Sequence, residues 1–205
     1  DILHALIRKH PLGMVISVGP DEEPVANPIP LLLDVTRGDH GVLQGHLARP
    51  NAQWKILAER PKVLVVFQGP ESYVTPSWYE TKRQTGKVVP TWNYAMVQVR
   101  GVASVRDDKD WLAEQVRALT LAHEGDRARP WAVEDAPESY IDAMLRGIVG
   151  IEIEIASIVG KWKVSQNRPE ADRIGVIAGL AEETHVQAGP MAELVRDHGG
   201  QSQVG

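Results

Sequence analysis

Ile148-Val149-Gly150-Ile151-Glu152-Ile153-Glu154-Ile155-Ala156-Ser157-Ile158 is the stretch on which the fold turns. Ile151, Ile153 and Ile155 alternate with Glu152 and Glu154. A period of two is the mark of a strand with one buried face. Such strands belong to antiparallel sheets, whereas the strands of parallel sheets read as unbroken apolar runs. Residues 95–105 repeat the pattern, with Met96, Gln98 and Arg100 on one side and Val97 and Val99 on the other.

Working outward, residues 62–67 form a near-continuous apolar strand, and residues 12–18 another that ends at the turn Gly19-Pro20-Asp21. Residues 25–35 read as one strand. Its Pro28 and Pro30 remove ladder donors, which places it at a sheet edge or where a ligand meets the backbone. The turn Arg37-Gly38-Asp39 leads to a strand over 41–47. Helices are expected over 2–9, 50–59, 107–124 and 137–145, with two proline-started helices over 169–182 and 190–197. Residues 68–94 hold two Trp and three Tyr without a clean period and read as a long functional loop. Strands joined by turns rather than helices favour a mainly β, α+β fold built on an antiparallel barrel. The expected organisation is one domain over 1–160 with helices inserted at 107–145. A C-terminal polar motif and its helices, 161–205, pack on the same domain.

Composition excludes several classes of function. The 205 residues are 43% apolar and 24% charged, which fits one large domain. A net charge of −5 disfavours a broad nucleic-acid or anionic-membrane surface. With no Cys, disulfides, thiolate catalysis and Cys–zinc sites are excluded. The seven His are scattered, with no His-Glu-x-x-His, so no metal site is expected. Gly-rich dinucleotide and phosphate loops and the Gly-x-Ser-x-Gly elbow are also missing. No apolar run spans a bilayer and no signal peptide is visible, so a cytoplasmic location without a membrane partner is expected. Six Trp and four Tyr stand against one Phe. Trp and Tyr are favoured where a flat apolar group must also hydrogen-bond.

Packing a core does not call for Ser165-Gln166-Asn167-Arg168, a polar run that follows Lys161 and Lys163 and leads into a proline-started helix. The plain reading is a polar turn that caps that helix. The functional reading is a cluster of amide donors and acceptors with a forked guanidinium, suited to an anionic, heteroatom-rich ligand such as a phosphorylated cofactor.

Three segments taken together carry a resemblance. They are Gly45-His46-Leu47-Ala48-Arg49-Pro50-Asn51-Ala52-Gln53-Trp54; Ser72-Tyr73-Val74-Thr75-Pro76-Ser77-Trp78-Tyr79 with Lys87-Val88-Val89-Pro90-Thr91-Trp92-Asn93-Tyr94; and residues 161–180. In this order they resemble the PaiB family of FMN-binding negative transcriptional regulators, over residues 10 to about 180. The resemblance implies an antiparallel FMN-binding split β-barrel, related to pyridoxamine-phosphate oxidases and flavin reductases. It also implies a homodimer with FMN held between the subunits.

Carried over to this chain, the resemblance implies that His46, Leu47, Arg49, Asn51 and Gln53 meet the ribityl chain and phosphate. The relatives carry an Arg-Lys pair near Ala52 and Gln53, and its absence here leaves the phosphate to Arg49, Lys161, Lys163 or Arg168. Asn27, Ile29 and Pro30 would run beneath the isoalloxazine. Tyr73, Trp78, Trp92 and Tyr94 would form a rim or stacking wall, and Asn93 would bond the ring. Gln166, Asn167 and Arg168 complete the expected cofactor residues. No catalytic residue is assigned.

Three functions follow as expectations. The first is an FMN-binding regulator of the PaiB type, with DNA or a regulatory protein as a further partner. The second is an FMN-dependent oxidoreductase or flavin reductase. The third is a split-barrel interaction protein without cofactor.

Overall fold

The computed structural model describes residues 2–199. The strands are β1 (Leu12–Val18), β2 (Pro24–Pro30), β3 (Leu32–Asp34), β4 (Val42–Ala48), β5 (Lys62–Val74), β6 (Thr91–Arg106) and β7 (Ile148–Lys163). They form one sheet in the order β2-β1-β5-β6-β7-β4-β3. β1 pairs antiparallel with β2 and β5, and β4 with β3 and β7. The helices are α1 (Ile2–Lys9), α2 (Gln53–Glu59), α3 (Glu80–Thr85), α4 (Lys109–Glu124), α5 (Glu138–Arg146), α6 (Glu170–Glu182) and α7 (Ala188–Asp197). Two 3-10 turns span Pro76–Trp78 and Val133–Asp135.

Two sequence expectations are corrected. Residues 25–35 are not one strand: Leu31 is buried between β2 and β3, and its N–H donates to the Pro11 carbonyl at 2.9 Å. Residues 68–94 are not a long loop. β5 runs on to Val74, β6 begins at Thr91, and α3 lies between them. The in–out alternation of β5 slips at Gly69-Pro70, where two successive residues are buried. A slip of one residue reverses the phase of every later side chain, which hides the period.

The chain divides into two compact units, residues 2–67 with 98–159 and residues 68–97 with 160–199. The boundaries fall inside β5, β6 and β7.

In the first unit, Ile151, Ile153 and Ile155 are buried, as their alternation requires. Glu152 points the other way and is only 6% exposed. Arg37 reaches both of its oxygens at 2.8 and 2.9 Å, and Arg106 and Gln44 add bonds of 2.9 and 3.0 Å. The Arg37 bond is the main cause that pulls the Glu152 carboxyl down to about 2; burial opposes it, and Gln44 and Arg106 assist. The indole of Trp111 on α4 lies so close to Gly150 that a Cβ there would sit 2.2 Å from the ring.

The outer face of β1 and β2 carries no charge. The register sets Leu12 beside Pro30, Met14 beside Pro28, Ile16 beside Ala26, and Val18 beside Pro24. Val66 and Leu64 of β5 continue the row from Met14 and Ile16. Leu12, Met14 and Val18 are 59%, 38% and 41% exposed, so this apolar face is uncovered among the described residues.

The second unit packs Val74, Tyr79 and Val164 against Val176 and Leu180 of α6 and Met191 and Val195 of α7. Gly175 and Gly179 let α6 ride on Trp78. A Cβ on Gly175 would meet the Trp78 carbonyl oxygen at 1.9 Å, and one on Gly179 would meet the indole at 2.2 Å.

Candidate functional site

The expected site residues fall into two groups, one in each unit. In the first unit the strand-to-helix corner uses up its own polar atoms. Asn51 accepts from the Gln53 backbone N–H at 3.0 Å and starts α2. Gln53 is 1% exposed. Its Nε2 donates towards the Val15 carbonyl, the Ser17 hydroxyl and the Val25 carbonyl at 2.9, 3.1 and 3.2 Å. Its Oε1 accepts from Asn27 Nδ2 at 2.9 Å. One amide thus clamps β1 and β2 to α2, and Gln53 points no free donor outward among the described residues.

Arg49 is similarly engaged. Its guanidinium meets the Asp107 carboxylate at 2.5 and 3.1 Å and donates to the Arg146 and Ile148 carbonyls at 3.0 and 2.9 Å. The Asp107 bond raises the Arg49 pKa and lowers that of Asp107. Leu47 and Ile29 are core residues, each 3% exposed. Trp54 Nε1 donates to the Arg49 carbonyl at 3.0 Å. His46 Nδ1 faces Gln115 Oε1 of α4 at 2.7 Å, so Nδ1 carries the hydrogen and donates. Gln115 is buried and its Nε2 has no partner among the described residues.

Along β2 the prolines decide which backbone groups face outward. The Leu31 N–H turns towards the β1 side, onto Pro11. Donors alternate along a strand, so the N–H groups of Ile29 and Asn27 turn the same way. Pro28 and Pro30 fall on the opposite edge, where a missing N–H breaks no ladder bond. At Pro28 and Pro30 that edge offers carbonyl acceptors only, and Ala26 keeps its N–H there.

In the second unit the tails of β5, β6 and β7 present a different surface. Trp92 and Tyr94 lie two residues apart on β6 and share a face. The Tyr73 ring stands edge-on to Trp92 at 5.9 Å and 69°, and the two are 46% and 53% exposed. Lys161 Nζ lies 5.8 Å from the centre of the Tyr94 ring and makes no ion pair among the described residues. Lys163 is committed to the Thr91 hydroxyl and, at 2.9 Å, to the Trp92 carbonyl.

Behind this surface the polar run forms a braced turn. Asn93 is 1% exposed and bonds the Ser165 hydroxyl at 2.9 Å. Ser165 sits at φ 60°, a left-handed conformation unusual for a residue other than Gly, Asn or Asp. Gln166 spans the turn, accepting from the Val164 N–H at 2.8 Å and donating to the Trp162 carbonyl at 2.6 Å. Arg168 stacks its guanidinium 4.4 Å from the centre of the Tyr79 ring. Asn167 is exposed and makes no hydrogen bond among the described residues.

Sequence reasoning missed Tyr79 and Asp172. Asp172 is fully buried; its Oδ1 caps α3 by accepting from the Thr81 N–H at 2.8 Å. Its Oδ2 and the Tyr79 hydroxyl are buried without hydrogen-bond partners among the described residues. Burial raises the Tyr79 pKa, and the nearby Arg168 works against it. Asp172 reads in sequence as a first-turn acid that suits its helix dipole, and nothing in the sequence ties it to Thr81. Gln115 had a signal: a polar residue three after Leu112 and four before Leu119 lies on the apolar stripe of its helix.

Residues 1–157 match the family described as "Putative FMN-binding domain". The chain belongs to this family. FMN is the cofactor that membership assigns, and the antiparallel split barrel is the fold. An uncharacterized protein of Emericella nidulans is 38% identical, over 97% of this chain and 92% of that one. Protease synthase and sporulation protein PAI 2 of Bacillus subtilis is 35% identical, over 93% of this chain and 88% of that one, which makes the family that of PaiB. A solved conserved hypothetical protein from Mycobacterium tuberculosis shares the fold with a TM-score of 0.57 at 15% identity, over 82% of this chain and 87% of that one.

The second-unit surface suits FMN by its donor set. Exposed Tyr and Trp faces accept a flat ring, and an ammonium without an acidic partner accepts phosphate. Among the described residues no cluster of His, Asp or Glu could hold a metal, and no helix is long and apolar enough to cross a membrane.

Proposed function

We propose that the chain is a cytoplasmic FMN-binding transcriptional regulator of the PaiB type, working as a homodimer with the flavin at the interface. The observation that carries this reading is the apolar outer face of β2 and β1, continued by Leu64 and Val66 of β5. Three adjacent strands with Leu12, Met14, Ile16 and Val18 at their centre are costly to leave in water. A second copy offers the same face and closes the pair by a two-fold axis.

In each copy, Trp92 and Tyr73 supply aromatic surface for the isoalloxazine, and Lys161 supplies charge for the phosphate. FMN itself supplies whatever redox chemistry is used; these residues bind and orient it. The relationship to the Bacillus subtilis sporulation protein supports the regulatory role, with DNA or a regulatory protein as the further partner.

Met14→Asp tests the reading. The unchanged chain should sediment as two copies and bind one FMN per copy. The variant should sediment as a monomer and lose most of its FMN affinity. A wild-type monomer that binds FMN fully would overturn the dimer. The regulatory part is tested by a mobility shift on the chain's own upstream DNA, which should weaken steeply with salt.

A further inference from the structure

We propose that the groove between α4, the turn Val133–Asp135 and α5 binds a small organic cation that joins an ammonium to an apolar body. The groove has a volume of about 480 Å³, within the roughly 300–1,000 Å³ of small-molecule pockets. Val116, Val133, Ile141 and Leu145 give it an apolar floor. The helices do not close over this floor, and two ion pairs brace its walls. Lys109 bonds Asp142 at 2.8 Å across α4 and α5, and Arg117 bonds Glu134 at 2.6 Å.

Charge selects the ligand. Both cations that line the groove are committed to those pairs, while Asp110 and Glu138 also line it and form no ion pair among the described residues. Asp142, Asp110 and Glu138 all act on the Lys109 ammonium and raise its pKa, the Asp142 hydrogen bond most. Three carboxylates thus converge on one cation, and that end of the groove keeps a negative excess. The wider field agrees. Residues 107–147 hold ten Asp and Glu against five Lys and Arg, which leaves 17 of each for the rest of the chain. The whole net charge of −5 therefore sits on this insertion, and it draws cations towards the groove. Carboxylates at helix starts complement the helix dipoles, but that alone does not explain an apolar floor left open between them.

The test uses the full, FMN-loaded chain and 2-phenylethylamine as probe, followed by calorimetry and by amide shifts of residues 109–145. One equivalent should bind, with shifts confined to that segment. 2-Phenylethanol, which has the same shape without the charge, should bind at least about tenfold more weakly, as should the amine to Asp110→Asn/Glu138→Gln, since a charge-assisted contact is worth that much or more. FMN content should be unchanged throughout. Equal binding of the alcohol, or shifts elsewhere, would overturn the proposal, and so would no binding of the amine. Because the alcohol control is run on the unmodified chain, the result stands even if the double variant folds poorly.

Discussion

The corner from His46 to Gln53 and the strand tails around Trp92 carry polar and aromatic residues of the same kinds, and the fold treats them oppositely. At the corner Asn27, Arg49, Asn51 and Gln53 bond other parts of the same unit. At the tails Tyr73, Trp92, Lys161 and Asn167 keep a ring face, an ammonium or an amide open. A polar side chain near a ligand site thus serves either to hold the frame or to hold the ligand. Substitution tells them apart: the first kind costs stability, the second affinity.

Gln53→Ala should have the largest effect. It strips donors from the Val15 and Val25 carbonyls and leaves Asn27 without its acceptor, all with little access to water. Unsatisfied groups of this kind together cost about 3 kcal/mol, read as a lower urea midpoint. FMN affinity of the folded fraction should hold. Lost affinity at unchanged stability would move Gln53 from frame to ligand.

Acid should expose the frame next. The Glu152 pKa lies at about 2, below its ordinary 4.5, so its pairing stabilises the fold fully above pH 4.5 and is lost as pH falls towards 2. The shift converts to about 3 kcal/mol. Arg37 and Arg106 are themselves 47% and 43% exposed, and solvent screening cuts the figure to roughly 1–2 kcal/mol. Glu152→Gln should flatten the stability profile between those pH values. A profile as steep as wild type would assign the acid sensitivity to other groups.

Asn93→Ala is the control that sharpens the contrast, because Asn93 sits among the open residues yet is buried against Ser165. It should behave as frame, losing about 1 kcal/mol of stability with the flavin spectrum unchanged. A shifted spectrum would place Asn93 against the ring.

How much of this was legible in the sequence follows the range of each interaction. Local signals sufficed for β7, whose Ile–Glu alternation matches its two faces although Glu152 is itself buried, and for α6, started by Pro169. They failed at β5, where the slip at Gly69-Pro70 breaks the period, and between β2 and β3, where burial of Leu31 ends one strand. The partners that turn a polar residue into frame lie far along the chain: Gln53 is 26 residues from Asn27, Arg49 is 58 from Asp107, and Asp172 is 91 from Thr81. No spacing rule reaches that far. The uncovered face of β1 had a signal that the sequence reading did not use, since Leu12-Gly13-Met14-Val15-Ile16 is apolar in both phases.

The smallest effect falls on the open side. Trp92→Ala removes a ring that is 53% exposed and stands edge-on to Tyr73, so stability should change by less than about 0.5 kcal/mol. FMN loses an aromatic partner worth about 1 kcal/mol, a weakening of roughly fivefold in Kd. Phe at 92 should restore most of it, because the ring face matters and the indole N–H does not. Stability loss without a change in Kd would make Trp92 frame as well, and the carriers of FMN would then have to be sought on the edge of β2 at Pro28 and Pro30.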